Sequence, residues 1–151
     1  MKKMTFRLLP NYLRPVFKLN TFYNLEAMLD TGAVYPVWTR GETYIKKLGA
    51  VKIRDAIEFG GFGGMTQGVL YKIPYFRLGD LIFQDMGIIA CSLNFPVPLI
   101  LSATMFNNLI YEADIKNHRF SISVPNDESL KRSLNIKKIN GHWYVMCTSA
   151  R

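Results

Sequence analysis

The sequence predicts an all-β domain with one or two short helices, and three observations lead there. Apolar and polar residues alternate with a period of two in successive runs, as in residues 15–20 and 51–59, which is the spacing of half-buried strands. The runs are separated by turn chemistry, seen in Gly60-Gly61-Phe62-Gly63-Gly64, Leu78-Gly79-Asp80-Leu81 and Asn140-Gly141,. At 151 residues, 49% of them apolar and 13% aromatic, the chain can bury one core without disulfides or metals to staple it.

Composition also bounds the class. Residues 1–10 have the charge of a secretory leader, but Arg7 and Pro10 interrupt its apolar stretch,, and no run is long enough to span a membrane. Cys91 and Cys147 sit in apolar surroundings, so no disulfide framework is implied and a reducing cytoplasm is the expected compartment. The formal net charge of +8 is concentrated at the ends, with +5 in residues 1–20, −2 in 21–114 and +5 in 115–151. Such ends suit nucleic acid, an anionic surface or an acidic protein. Ordinary solvated faces are the plainer explanation.

Residues 15–20 and 23–28 both alternate, and Asn20-Thr21-Phe22 between them is short enough for a hairpin,. The second strand turns fully apolar at Ala27-Met28-Leu29 and runs into Asp30-Thr31-Gly32-Ala33. A carboxylate placed there is costly unless hydrogen-bonded or paired. Thr31 brings a hydroxyl that can donate and accept, and Gly32 allows a sharp turn with its N–H open to the carboxylate. Asp-x-Gly is commonly only a turn in β-rich chains, but apolar flanks on both sides mark Asp30 as the candidate reactive group. Residues 34–39, interrupted by Pro36, predict a short strand at a sheet edge,. In residues 41–49, Tyr44, Ile45 and Leu48 share one helical face, and Gly49 is placed to end the helix in a left-handed conformation,.

Residues 51–59 predict a strand and 65–76 its return, with Pro74 marking an edge or a bend,. The four glycines around Phe62 match neither Gly-x-Gly-x-x-Gly nor a loop followed by Gly-Lys-Ser/Thr, which argues against a phosphate cradle. A hairpin tip with Phe62 at its apex fits better. After the turn at 78–81, Ile82-Phe83 and residues 86–91 are near-continuous apolar strands of the doubly buried kind,. Residues 96–101 predict another strand, followed by Ser102 as a cap and a helix through Ile110,. Residues 111–115 and 119–124 close the sheet, and residues 134–145 form a hairpin on Asn140-Gly141,.

Taken in order, the strand into Asp30-Thr31-Gly32-Ala33, the glycine-tipped hairpin at 60–64 and the apolar strand running into a helix resemble the retropepsins, the retroviral-type aspartic proteases and their cellular and bacterial relatives. The resemblance covers about residues 13–124 and leaves 125–151 as a C-terminal extension of a single domain. The chain departs from the family at Ser102, where glycine is usual. The resemblance implies an acid-protease β-barrel, no cofactor, and hydrolysis of an extended peptide by two carboxylates that share one proton. With one Asp-Thr-Gly in the chain, the second carboxylate must come from a second copy, hence a two-fold homodimer. By resemblance Asp30 is catalytic, Thr31 locks the two loops across the axis, Gly32 bonds carboxylate and substrate, and Ala33 lines the groove. Gly61, Phe62 and Gly63 belong to a flap that closes over the peptide.

Two other functions fit the sequence. One is a catalytically silent dimerisation or peptide-binding module on the same fold, motivated by Ser102 and the basic ends. The other is a binder of nucleic acid or an anionic surface. Trp143 and Tyr144 beside Lys137 and Lys138 suit base stacking,, although hairpin packing is the commoner reason for such aromatics. His118 and His142 lack Cys or acidic neighbours at ligand spacing, so no metal is expected,. The C-terminal hairpin serves either the dimer interface or a substrate or partner, and the sequence leaves both open.

Overall fold

The structure, a computed structural model, describes residues 3–10, 12, 14–19, 25–61 and 64–147. The turn expected at Asn20-Thr21-Phe22 and the tip residues Phe62 and Gly63 lie outside the described residues. The first strands are β1 (Met4–Arg7), β2 (Val16–Lys18), β3 (Glu26–Asp30) and β4 (Val37–Trp38), followed by helix α1 (Thr43–Lys47). The middle of the chain gives β5 (Val51–Gly61), β6 (Gly64–Leu78), β7 (Leu81–Ala90) and β8 (Leu99–Ser102). A 3₁₀ turn (Ala103–Phe106) leads to β9 (Ile110–Asp114) and β10 (Arg119–Ser123), and α2 (Glu128–Ser133), β11 (Lys137–Ile139) and β12 (His142–Met146) complete the order.

These strands form two open sheets. The smaller is antiparallel, ordered β1-β10-β9, and the larger runs β11-β12-β7-β4-β8-β3-β2, with β6 pairing β7 and β5 pairing β6. Strand β7 organises the larger sheet. Antiparallel β6 pairs with it from Leu81 to Ala90, while β12 and β4 run parallel to it at Leu81–Gln84 and Ile89–Ala90. Because a strand presents successive side chains to opposite faces, the alternation sorts the core into two layers. Ala27, Leu29, Trp38, Tyr71, Ile88, Leu99 and Leu101 join the main core. Met28, Val37, Leu70, Ile89 and Ile100 form a second cluster on the opposite face. An aromatic column ties the sheets together, with Phe17 stacked on Phe120 at 4.9 Å between ring centroids and Phe106 edge-on to Phe120 at 5.8 Å.

Several expectations from sequence hold. β2 and β3 pair antiparallel with Phe17 opposite Ala27. The chain leaves α1 through Gly49 at φ +78°, and Asn140 and Gly141 adopt φ +52° and +82° between β11 and β12, the pattern of a tight I′ hairpin. Pro74 lies on β6 beyond the end of its pairing with β5, which begins at Val51↔Lys72, so its missing N–H costs no ladder bond on that side.

Two expectations are corrected, and one element was not foreseen. Strand β4 is short, but it is central, lying between β7 and β8. Pro36 precedes the strand, and its carbonyl accepts the Ile89 N–H at 2.9 Å, so the proline does not interrupt the ladder. The helix expected from Ser102 to Ile110 shrinks to the 3₁₀ turn Ala103–Phe106, because Asn107-Asn108 favours a turn over further helix and Ile110 already opens β9. Residues 128–133, to which the sequence assigned no element, form α2. Asp127 caps it by accepting the Leu130 N–H at 2.9 Å, and the aliphatic stem of Lys131 is buried with its Nζ 4.9 Å from the Trp143 ring centroid.

Strand β1, also unforeseen, pairs with β10 from Met4↔Ile122 to Arg7↔Arg119. The C-terminal hairpin lies along β7 as part of the large sheet, with Trp143 N–H donating to the Asp80 carbonyl at 2.8 Å. Among the described residues no helix is long and apolar enough to cross a membrane.

Candidate active site

Strand alternation sets where Asp30 points. Met28 belongs to the second cluster, two residues before Asp30, so the Asp30 side chain emerges on that same face at the end of β3,. Parallel pairing with β8 sets Asp30 opposite Ser102. The cleft on this face has a volume of about 400 Å³. Its floor is Val37, Ile89 and Ile100, one wall is the loop from Asp30 to Tyr35, and the other is Ile57-Glu58-Phe59-Gly60 of β5. The β5–β6 hairpin therefore borders the cavity into which the carboxylate opens.

Asp30 is met on one oxygen. Its Oδ1 accepts the Gly32 N–H at 3.0 Å and lies 2.9 Å from Arg14 Nη1, while Oδ2 has no hydrogen bond among the described residues. The side chain is 19% exposed and that of Arg14 56%, so the pair lies at the cleft's edge rather than in the core. The sequence foresaw the Gly32 bond. Its reason is different, however: the Gly32 backbone is not left-handed, and a Cβ there would lie an ordinary 3.5 Å from Oδ1. What glycine leaves vacant is the space beside the carboxylate.

Thr31 is exposed at the tip of the loop, and Ala33 is half-buried with its N–H donating to the Asp30 carbonyl at 3.2 Å. Gly61 pairs with Gly64 at the described end of the hairpin, and Phe62 and Gly63 lie outside the described residues. The structure thus brings Asp30, Gly32, Ala33 and the tip-proximal part of β5, Ile57 to Gly60, to one cavity.

Sequence reasoning missed two parts of this site. The first is Arg14, whose approach to Asp30 has no local signature across sixteen residues of sequence. The second is a hydroxyl clamp. Ser102, fully buried, lies 2.5 Å from the Ala33 carbonyl and 3.3 Å from that of Val34, and accepts the Thr104 N–H at 3.2 Å. Thr104 Oγ1 donates to the Val34 carbonyl at 2.8 Å and lies 2.6 Å from Ser102 Oγ. The two hydroxyls satisfy carbonyls on the returning limb of the Asp-Thr-Gly loop, which would otherwise lack partners. Ser102-Ala103-Thr104 was the available signal, since small hydroxyl residues at the end of a buried strand serve as caps.

Other candidates stay apart from the cleft. Cys91 and Cys147 are buried free thiols. No group of three or more His, Cys, Asp or Glu side chains among the described residues could hold a metal. Trp143 is engaged by Lys131 and Lys138, whose Nζ atoms lie 4.9 and 5.7 Å from its ring centroid.

No family model matches the sequence, and no curated protein matches it. Among solved structures the chain is similar to a retropepsin-like aspartic protease from Rickettsia conorii, with a TM-score of 0.58 and 15% identity, over 82% of this chain and 91% of that one. The fold is therefore retropepsin-like, built mainly of strands with few short helices.

Proposed function

We propose that the chain is a homodimeric aspartic endopeptidase in which two Asp30 carboxylates, one from each copy, cleave an extended peptide held beneath the β5–β6 hairpin. The observation that carries this reading is the placement of Asp30: it ends a buried strand, is oriented by the Gly32 N–H, and opens into the cleft bordered by the hairpin. Two like charges brought close cannot both ionise, so the pair holds one proton between them. The ionised carboxylate takes a proton from a water whose oxygen attacks the carbonyl carbon, while the protonated one gives its proton to the carbonyl oxygen. The resulting diol collapses, the C–N bond breaks, and the nitrogen leaves with a proton as the amine.

Within this reading, Thr31 locks the two loops across the axis and Ala33 lines the groove. Gly61, Phe62 and Gly63 close the flap, excluding water and adding strand-like hydrogen bonds to the peptide. The apolar lining by Val37, Ile57, Phe59, Ile89 and Ile100 favours hydrophobic side chains beside the scissile bond. The buried free thiols fit a reducing, cytoplasmic setting.

Asp30→Asn tests the assignment. Cleavage of an unstructured peptide library at mildly acidic pH should be abolished while sedimentation shows the dimer intact; undiminished cleavage rules the assignment out. The Arg14 guanidinium on Asp30 favours a second reading, a peptide-binding module without turnover, which predicts peptide binding and no cleavage at any pH.

A further inference from the structure

The two basic ends of the chain meet on the small sheet. Arg7 of β1 stands directly opposite Arg119 of β10 in the antiparallel register, and Thr5 stands opposite Ser121. Thr5 and Arg7 are exposed where Met4 and Phe6 are half-buried, and on β10 Phe120 and Ile122 are buried while Arg119 is exposed. Both arginines therefore spring from the outer face. A guanidinium is charged at any working pH, and like charges directly opposite each other destabilise a sheet.

The chain gives this pair little relief. Neither guanidinium forms an ion pair among the described residues. The acids of the same face, Glu112 and Asp114, lie on β9, where Asp114 is the cross-strand neighbour of Arg119. Both Asp114 oxygens are taken by Asn117, Oδ1 by its N–H at 3.2 Å and Oδ2 by its Nδ2 at 2.8 Å. Arg119 is the least of the influences that hold the Asp114 carboxyl below its usual range.

Beside the arginines is a cavity of about 440 Å³ lined by Thr5, Arg7, Asn117, His118 and Arg119. Every lining side chain can donate a hydrogen bond, and none is acidic. Backbone bonds hold the turn against β1: the His118 carbonyl accepts the Leu8 N–H at 2.8 Å, and the His118 N–H donates to the Ile115 carbonyl at 3.2 Å. This lining shares no residue with the cleft of Asp30.

We propose that the cavity between Arg7 and Arg119 binds a phosphate monoester. Charge selects the class. Two guanidinium groups call for two negative charges; a carboxylate or a phosphodiester brings one, whereas a monoester brings about 1.5 to 2 at pH 7. Its three terminal oxygens can accept from both planar forks and from the Thr5 hydroxyl. Binding converts the repulsion between Arg7 and Arg119 into a shared attraction for one ligand. The proposal is independent of the reading of Asp30.

Titration calorimetry on the full chain at fixed ionic strength tests it. The probes are a phosphoserine peptide, the same peptide unphosphorylated, adenosine monophosphate, acetate, and a short oligonucleotide with a 5′-hydroxyl, whose phosphates are all diesters. At least one of the two monoesters should bind about tenfold or more tightly than the unphosphorylated peptide, acetate and the oligonucleotide, and the tighter of the two identifies what carries the phosphate. Arg7→Gln and Arg119→Gln should each weaken that binding about tenfold or more. Without ligand and at low salt, Arg7→Gln should unfold at a temperature no lower than the unaltered chain, because it removes a repulsion; a merely structural arginine would lower it. Acetate or the oligonucleotide binding as tightly as the monoesters, unchanged affinity in Arg7→Gln, or earlier unfolding of that variant overturns the proposal.

Discussion

The Ser102 hydroxyl lies 2.5 Å from the Ala33 carbonyl, joining the end of β8 to the returning limb of the loop that carries Asp30. Ser102 has no exposed surface, so its removal leaves a carbonyl short of a donor. Ser102→Ala should cost about 1–3 kcal/mol of stability. It should also lower kcat about tenfold, with a smaller change in KM, because the loop loses its register on the substrate. Ser102→Gly loses the same hydroxyl and should fare no better. Thermal unfolding and peptide kinetics on one preparation check this; full kcat in both variants would show that the loop holds without the bond.

Shared catalysis predicts a concentration dependence. Thr31 is exposed, and Val34, in the same loop, is 67% exposed despite being apolar, as expected of a surface that a second copy covers. Specific activity should fall on dilution in step with the dimer fraction seen by sedimentation. Mixing in an equal amount of Asp30→Asn chain should roughly halve the activity, because mixed dimers carry one competent carboxylate. Activity that is independent of both concentration and mixing would contradict a composite site.

Gly68 tests the packing behind the cleft. A Cβ at this position of β6 would sit 2.5 Å from Ile89 Cγ2 and 3.0 Å from the Ala90 carbonyl oxygen. The second contact is backbone and cannot swing aside. Gly68→Ala should therefore destabilise by about 1–3 kcal/mol through overpacking, read as a lower urea midpoint at unchanged slope.

Alkaline pH should weaken the fold before it affects the surface. Burial, with an added contribution from Asp85, pushes the Cys147 thiol up to about 12. Burial and the 2.5 Å hydrogen bond to Glu42 push the Tyr71 phenol up to about 12. Both are acids kept neutral in the fold, whereas the unfolded chain ionises them from their ordinary values of 9.0 and 10.0. The stability they confer is complete below pH 9 and is lost as the pH rises from 9 toward 12. Urea midpoints taken at pH 7, 9 and 10.5 should fall over the last interval, and Tyr71→Phe should flatten that fall.

The C-terminal extension should prove indispensable. β12 pairs with β7 over Leu81–Gln84, and Ile136, Val145 and Cys147 lie in the main core. Ending the chain at residue 125 uncovers that strand edge and those side chains, at a cost of several kcal/mol. Loss of the cooperative unfolding transition is the expected result; a truncated chain as stable as the full one would show that the hairpin is an appendage.

Much of the fold was legible because its signals are local. The alternation in residues 51–59, the left-handed turn at Asn140-Gly141 and the apolar run into Asp30 each depend on neighbours a few positions away. The errors fall where pairing partners decide. Residues 37–38 look like an edge because Pro36 precedes them, yet β7 and β8 flank them on both sides. The helix after Ser102 stops early, and its hydroxyls turn to Ala33 and Val34, some seventy residues back.

By itself, then, the sequence determined the strand-rich class, the hairpins, and the apolar run that ends at Asp30, because a period of two and the steric demands of turns are properties of adjacent residues. Tertiary structure alone decided that Ser102 and Thr104 hold the Asp30 loop, that Arg14 rests on its carboxylate, and that Glu58 shares the cavity. Those relationships arise from strand register and charge proximity between segments far apart in the chain, and no local pattern encodes them.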